Sequence, residues 1–312
     1  GRLVPRYSLA GNFGRDEYVA TLGLLAEQSS DERLSNRRQD KSRSLLWGHA
    51  FDTGTLRISA RTDEASTRAT EFEDSGLVSR ESTRRSYSAN LNGQKELSER
   101  TSLNFGASHA GARYEDTALS NYSNQTAEVG LGYAVSESLS ATARLAATVF
   151  DPDGSGVPSK SYSLSFGVSA QSGERFNWAA QYGLRRTIAD TESNGSDGLL
   201  SLQWNGATND FSFVVSRQYS PSSVGLVSIV DSVKGAWQSQ WGPSTRTLAD
   251  FSLTKRHGEL ETRMAQATAA FIYDTSAVSS VRVYVQEKRL DQANSVVTAS
   301  IIGSSLSYNW RP

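Results

Sequence analysis

The chain has 312 residues, no cysteine, and 33 acidic against 32 basic residues, for a net charge of −1. That balance removes any electrostatic case for nucleic-acid binding, and the lack of cysteine excludes disulfides and thiolate metal sites. A hydrophobic fraction of 37% and a mean hydropathy of −0.46 resemble a soluble protein, and no run of about 18 apolar residues offers a membrane helix.

Alternation is the stronger signal. Side chains on a strand point to opposite faces in turn, and segments of roughly ten residues alternate apolar with small or polar along nearly the whole chain. From the N-terminus, Gly1-Arg2-Leu3-Val4-Pro5-Arg6 is no secretory signal, so a mature or trimmed chain is expected, with room for an upstream periplasmic domain. Residues 1–14 read as a periplasmic segment or, through YSLAGNF at 7–13, an extra strand. Residues 15–312 read as one domain. Its strands are expected near 17–27, 41–51, 54–64, 84–94, 101–111, 124–134, 139–149, 160–170, 175–187, 198–206, 211–219, 231–241, 246–255, 261–273, 277–288 and 298–310.

That makes sixteen strands, with fourteen or eighteen as alternatives. Residues 124–149 show the pattern well: Ala127, Val129, Leu131 and Tyr133 share one parity, and after a turn Leu139, Ala141, Ala143, Leu145, Ala147 and Val149 share one. Links are expected to alternate between short ones, such as Asp52–Thr53 and Gly242–Thr245, and longer ones near 28–40, 65–83, 112–123, 150–159, 188–197, 220–230 and 289–297. His257–Leu260 makes a smaller loop. Strands of 9–11 tilted residues cross a bilayer core. Short turns on one side and loops on the other mark an all-β, antiparallel up-and-down transmembrane β-barrel of the bacterial outer membrane. An even strand count would bring both termini to the periplasmic side. A soluble sandwich would carry more Lys and Glu on its wet face, and a β-helix needs a fixed repeat.

Aromatics expected near the periplasmic ends of the greasy face are Phe51, Tyr133, Phe176, Trp178, Trp204, Phe211, Trp241, Phe271 and Tyr273. The last strand sets Ile302, Leu306, Tyr308 and Trp310 on one parity, like the closing signal of outer-membrane proteins, although Arg311 and Pro312 follow the Trp.

The opposite parity carries Arg57, Arg61, Glu128, Arg144, Gln181, Arg185, Gln203, Lys234, Gln238, Asp250 and Arg282 among many Ser, Thr and Gly. An Arg or Lys facing lipid at midplane costs about 2–4 kcal/mol, so these residues are expected to line the lumen. Either their charges pair with one another, or the arginines bias a solute path toward anions and sugar hydroxyls. Aligned aromatic platforms for sugars are not expected on this parity, Tyr284 excepted. The longest loop, 65–83, holds Glu71, Glu73 and Asp74 with Arg80, a candidate constriction.

The loops 151–156 and 190–197 lack the spacing of a calcium loop and read as turns; no metal or cofactor is expected. An enzyme is not expected either. Of three histidines, His49 and His109 share parity with apolar neighbours, His257 falls in a loop, and no G-x-S-x-G is present.

The hairpins around Leu97-Ser98-Glu99-Arg100-Thr101-Ser102-Leu103 and Tyr133-Ala134-Val135-Ser136-Glu137-Ser138-Leu139, with Asn121-Tyr122 opening the next strand, carry a resemblance. Residues 84–190 resemble bacterial outer-membrane barrels that accompany exopolysaccharide export, including the beta-barrel porin type 2 proteins. The resemblance implies a passive conduit for a hydrophilic polymer, with polysaccharide and periplasmic export proteins as partners beside outer-membrane lipid and lipopolysaccharide. A general diffusion porin and a structural barrel with a plugged lumen are the alternatives.

Overall fold

The computed structural model describes residues 2–3, 5–27, 38–67, 82–154, 156–221, 227–257, 261–292 and 295–308. Eighteen strands form one antiparallel sheet. They are β1 (Arg2–Leu3), β2 (Arg6–Phe13), β3 (Asp16–Glu27), β4 (Arg38–Phe51), β5 (Gly54–Ser66), β6 (Thr83–Glu96), β7 (Thr101–Tyr114), β8 (Tyr122–Ala134) and β9 (Leu139–Pro152). They continue with β10 (Ser159–Ser172), β11 (Phe176–Ile188), β12 (Glu192–Asn205), β13 (Asn209–Pro221), β14 (Val227–Gly242), β15 (Thr245–His257), β16 (Thr262–Asp274), β17 (Ser279–Gln292) and β18 (Ser295–Tyr308).

From β2 to β18 each strand pairs with the next in sequence, up and down. β1 and β2 both pair with β3, end to end, so the eighteen strands make seventeen ranks. The break falls at Pro5, which has no N–H to donate; its carbonyl still accepts from Leu24 N at 2.9 Å. Residues 6–13 thus form a strand beside the sixteen expected. Seventeen ranks also change the polarity: β2 and β18 both run toward the short turns, so the two termini do not share one end. Among the described residues no strand pairs with the far side of β2 or of β18.

Three of the short turns are built alike. In Leu97–Arg100, Val135–Ser138 and Thr275–Val278 a serine at the second position closes the turn: Ser98 Oγ accepts from Thr101 N at 3.1 Å, Ser136 Oγ from Ser138 N at 3.3 Å and Ser276 Oγ from Ser279 N at 3.1 Å. Gly14 and Gly173 take φ of 61° and 66° in two tighter turns, a region side chains avoid.

Two links expected to be long are short. Glu192–Asp197 pairs with β11 and leaves only residues 189–191, and β17 and β18 extend until 293–294 alone separates them. Asn194, Gly195 and Ser196 favour turns in isolation, but a neighbouring ladder overrides that weak preference. His257 likewise ends β15 rather than lying in a loop.

One face carries the exposed apolar side chains, among them Leu22, Leu45, Ile58, Phe105, Leu131, Leu145, Leu164, Leu184, Phe251 and Val283. Alternate small residues let its large ones lie flat. The Phe105 ring covers Gly93, where a Cβ would come within 2.1 Å of it, and Phe251 covers Gly235 in the same way. Toward the short turns the aromatic girdle stands on this face, with Phe51, Tyr133, Trp204, Phe211, Phe271 and Tyr273 all exposed. A bulge between Gln240 and Gly242 sets Trp241 there too, its Nε1 donating to Thr247 Oγ1 at 2.9 Å. Trp310, the expected closing aromatic, lies outside the described residues.

Glycine packing supplies a test. A Cβ on Gly54 would sit 2.2 Å from the backbone oxygen of Gln94, whereas Gly11 has open space. Gly54→Val is expected to cost about 1–3 kcal/mol and Gly11→Val less than about 0.5 kcal/mol, measured by urea unfolding of the folded protein in detergent micelles. Equal costs would contradict the β5–β6 register.

Candidate functional site

The candidate site is the other face of the sheet. Directly opposed residues of an antiparallel pair share a face, so the register carries parity from strand to strand. It places Arg57, Arg61, Glu128, Arg144, Gln181, Arg185, Gln203, Lys234, Gln238, Asp250 and Arg282 together on the face opposite the apolar band. Between them hydroxyl groups bond across the strands: Thr126 with Thr148 at 3.1 Å, Ser140 with Ser169 at 2.7 Å and Ser216 with Ser232 at 2.8 Å.

About half of these charges are paired among the described residues. Arg61 binds Asp63 two residues along its own strand through Nε at 2.7 Å and Nη2 at 2.8 Å. Arg144 Nη1 reaches Glu128 Oε2 at 3.5 Å. Arg185 is held most firmly: Nε and Nη2 each donate to Asp197 Oδ2 at 3.3 Å, and Nη1 donates to Ser161 Oγ at 2.9 Å. The Tyr219 ring covers it at 4.6 Å from Cζ. Tyr219 can do so because the β12–β13 ladder stops at Gly198↔Arg217, and because Gly195 leaves its hydroxyl room. Arg282 lies over Tyr284 at 5.4 Å, and its Nε is buried without a partner. Arg57 and Lys234 have no ion pair among the described residues. Gln203 Nε2 donates to Asn205 Oδ1 at 3.1 Å.

At the loop end this face is not open everywhere. Ala112, Tyr114, Tyr122 and Phe150 form a buried cluster with Leu119, which the short β7–β8 connection folds back onto them. Arg84 Nη2 donates to Tyr122 Oη at 3.0 Å. Three aromatics therefore do stand on the polar parity besides Tyr284. They are packed against one another (Tyr122 and Phe150 centroids 5.7 Å apart) and present no free platform to a sugar. Their bulk at even positions of β7–β9 was the signal. A second buried group, Val230, Arg256, Thr262 and Met264, covers the loop end of β14–β16, where Arg256 Nη2 donates to Ser228 Oγ at 2.8 Å. Glu71, Glu73, Asp74 and Arg80, the candidate constriction, lie outside the described residues.

The histidines carry structure on the apolar face. His49 Nδ1 and Trp47 Nε1 share Asp16 Oδ1 at 2.8 and 3.1 Å, and His257 Nε2 meets Asp231 Oδ2 at 2.8 Å. Among the described residues no group of three metal-ligating side chains converges. Beyond the strands, hydrogen bonds from Arg263 and Lys255 hold the Glu261 carboxyl below its ordinary pKa.

No protein-family model matches the sequence, and no curated protein is similar enough to match. Solved structures do match in fold. The FrpB iron transporter from Neisseria meningitidis (F5-1 variant) superposes with a TM-score of 0.55 at 9% identity, covering 93% of this chain and 62% of that one. The copper transporter OprC gives 0.54 at 9% identity over 94% of this chain and 59% of its own. The ferric enterobactin receptor PfeA from Pseudomonas aeruginosa (a mutant form) gives 0.54 at 8% identity, covering 99% and 70%. The chain spans about 60% of the length of the FrpB structures it matches. At such identities the likeness concerns the fold, and the fold is that of an outer-membrane β-barrel.

Proposed function

We propose that the protein is an outer-membrane transport barrel whose polar face is the wall of a passive path for a hydrophilic, largely uncharged solute, an exported polysaccharide above all. The observation that carries this reading is a polar face rich in cross-strand hydroxyl pairs, on which Arg61, Arg144 and Arg185, three of the six cations named there, are each bound to a carboxylate. Hydroxyl and amide groups remain as the main recognition chemistry. Ser, Thr, Asn and Gln both donate and accept hydrogen bonds, which suits the hydroxyls of a sugar chain better than the charge of a small anion. The fold matches include iron and copper transporters and a ferric enterobactin receptor, which supports outer-membrane transport as the general class. The turn motif shared with polysaccharide-export barrels supports the finer reading. Transport involves no chemical step; steric fit and exchange of hydrogen bonds along the wall move the polymer.

The path is tested by reconstituting the protein in planar bilayers and recording conductance with and without long oligosaccharides. Block by oligosaccharide is the expected result; a steady conductance indifferent to it identifies a diffusion porin, and silence identifies a plugged lumen. Two of the cations without an ion pair make a second test. Replacing Arg57 and Lys234 by Ala is expected to shift reversal potentials toward cation preference while leaving folding intact. Arg185→Ala is expected instead to cost about 1.5–3 kcal/mol of stability, because Asp197 loses a charged hydrogen-bond donor; urea unfolding in micelles separates the two effects.

A further inference from the structure

Strands of 12–16 residues are longer than the bilayer core requires, and at the loop end the outward face turns from apolar to charged. Across β4–β7 the register lines up Lys41, Glu64, Arg85 and Arg113. The next outward row is Arg43, Thr62, Tyr87 and Gly111, followed by Leu45, Ala60, Ala89 and His109, then Trp47, Ile58, Leu91 and Ala107. Cations therefore sit directly above Tyr87 and an apolar band. Lys41 Nζ donates to Glu64 Oε1 at 2.9 Å, and Arg85 lies 3.3 Å from Glu64 and 3.2 Å from Glu115. Arg43 and Arg113 have no ion pair among the described residues. A groove of about 560 Å³ runs between these side chains and Tyr87.

The opposite arc differs. Across β13–β17 the equivalent row is Arg217, Asp231, Lys255, Arg263 and Asp291. There Arg217 binds Asp231 at 2.6 Å, and Lys255 and Arg263 share Glu261 at 3.2 and 3.0 Å. On β4–β7 four cations face two carboxylates, Glu64 and Glu115. The next outward carboxylate in register, Asp151, stands on β9 opposite Ser123.

We propose that β4–β7 carry, on the lipid-facing side, a binding site for the phosphorylated headgroup of an outer-leaflet lipid, the lipid A part of lipopolysaccharide. Loops lie outside and short turns in the periplasm in barrels of this kind, so this row meets the outer leaflet. Guanidinium groups match phosphate with paired donors, and Arg43, Arg85 and Arg113 bracket the groove. The occupant has to be amphiphilic, because a phosphate held there stands over Leu45, Trp47, Ile58 and Leu91, which take acyl chains. Basic clusters at the headgroup level of a membrane protein hold anionic lipids by this combination.

The test is native mass spectrometry of the whole folded chain in detergent with added hexa-acyl, bisphosphorylated lipid A. One-to-one adducts are expected, weakened at least ten-fold for lipid A stripped of its phosphates. Inorganic phosphate at millimolar concentration is expected not to compete; full competition by it would reassign the groove to a free anion and overturn the proposal. Arg43→Gln with Arg113→Gln is expected to reduce adducts at least five-fold, while Arg217→Gln with Arg263→Gln leaves them unchanged. Equal loss in both pairs, or none in either, would sink the assignment. Heat-modifiable migration on gels establishes that each variant is folded, and should the double variant fail that check, Arg43→Gln and Arg113→Gln are measured singly.

Discussion

Hydrocarbon offers no partner to a backbone N–H or C=O, so a strand that crosses a membrane has to satisfy every such group against a neighbouring strand. The rest of this structure depends on that requirement. It explains ladders that continue through turn-prone stretches such as Glu192–Asp197, where local preference alone would have broken the strand. Proline is tolerated where no neighbouring strand calls for its donor. Pro5 stands on the outermost rank, where a missing donor leaves no ladder bond unmade on the side away from β3.

Pairing every strand forces a strict two-faced sheet, and the two faces solve opposite problems. The outward face has to be greasy across the band yet compatible with water and headgroups beyond it, so its side chains run from the girdle beside the short turns, through aliphatic residues, to a charged collar at the loop end. The polar face has to carry charged groups side by side. It does so in part by local neutralisation, with Arg61 and Asp63 two residues apart on one strand and Arg185 enclosed by Asp197, Ser161 and Tyr219. What remains for a solute is a surface of hydroxyls and amides together with Arg57, Lys234 and Arg282, which have no ion pair among the described residues.

Each end of the sheet is treated differently as well. Three of the short turns are near copies of one serine-closed design. The motif that resembles polysaccharide-export barrels is thus also the hydrogen-bond chemistry of a tight turn, which Thr275–Val278 uses without sharing its Glu. The loop end is individual: Leu119 folds inward over Tyr114, Tyr122 and Phe150, and Arg256 is buried beside Ser228.

Alternation by itself determined the fold class, the sixteen central strands to within a few residues, and the face on which each polar side chain stands, because a period of two leaves no freedom once a strand is recognised. The girdle from Phe51 to Tyr273 was legible for the same reason. Three things were not. The sequence left residues 6–13 open between a periplasmic segment and an extra strand, and the ladder to β3 decides for the strand. The fate of the arginines depends on which carboxylate the register brings near, so Arg185 is enclosed while Arg57, of the same type and parity, is not. The charged collar became visible only when the strands were seen to rise beyond the apolar band, since tertiary pairing alone decides where a strand stops and therefore which rows leave the hydrocarbon.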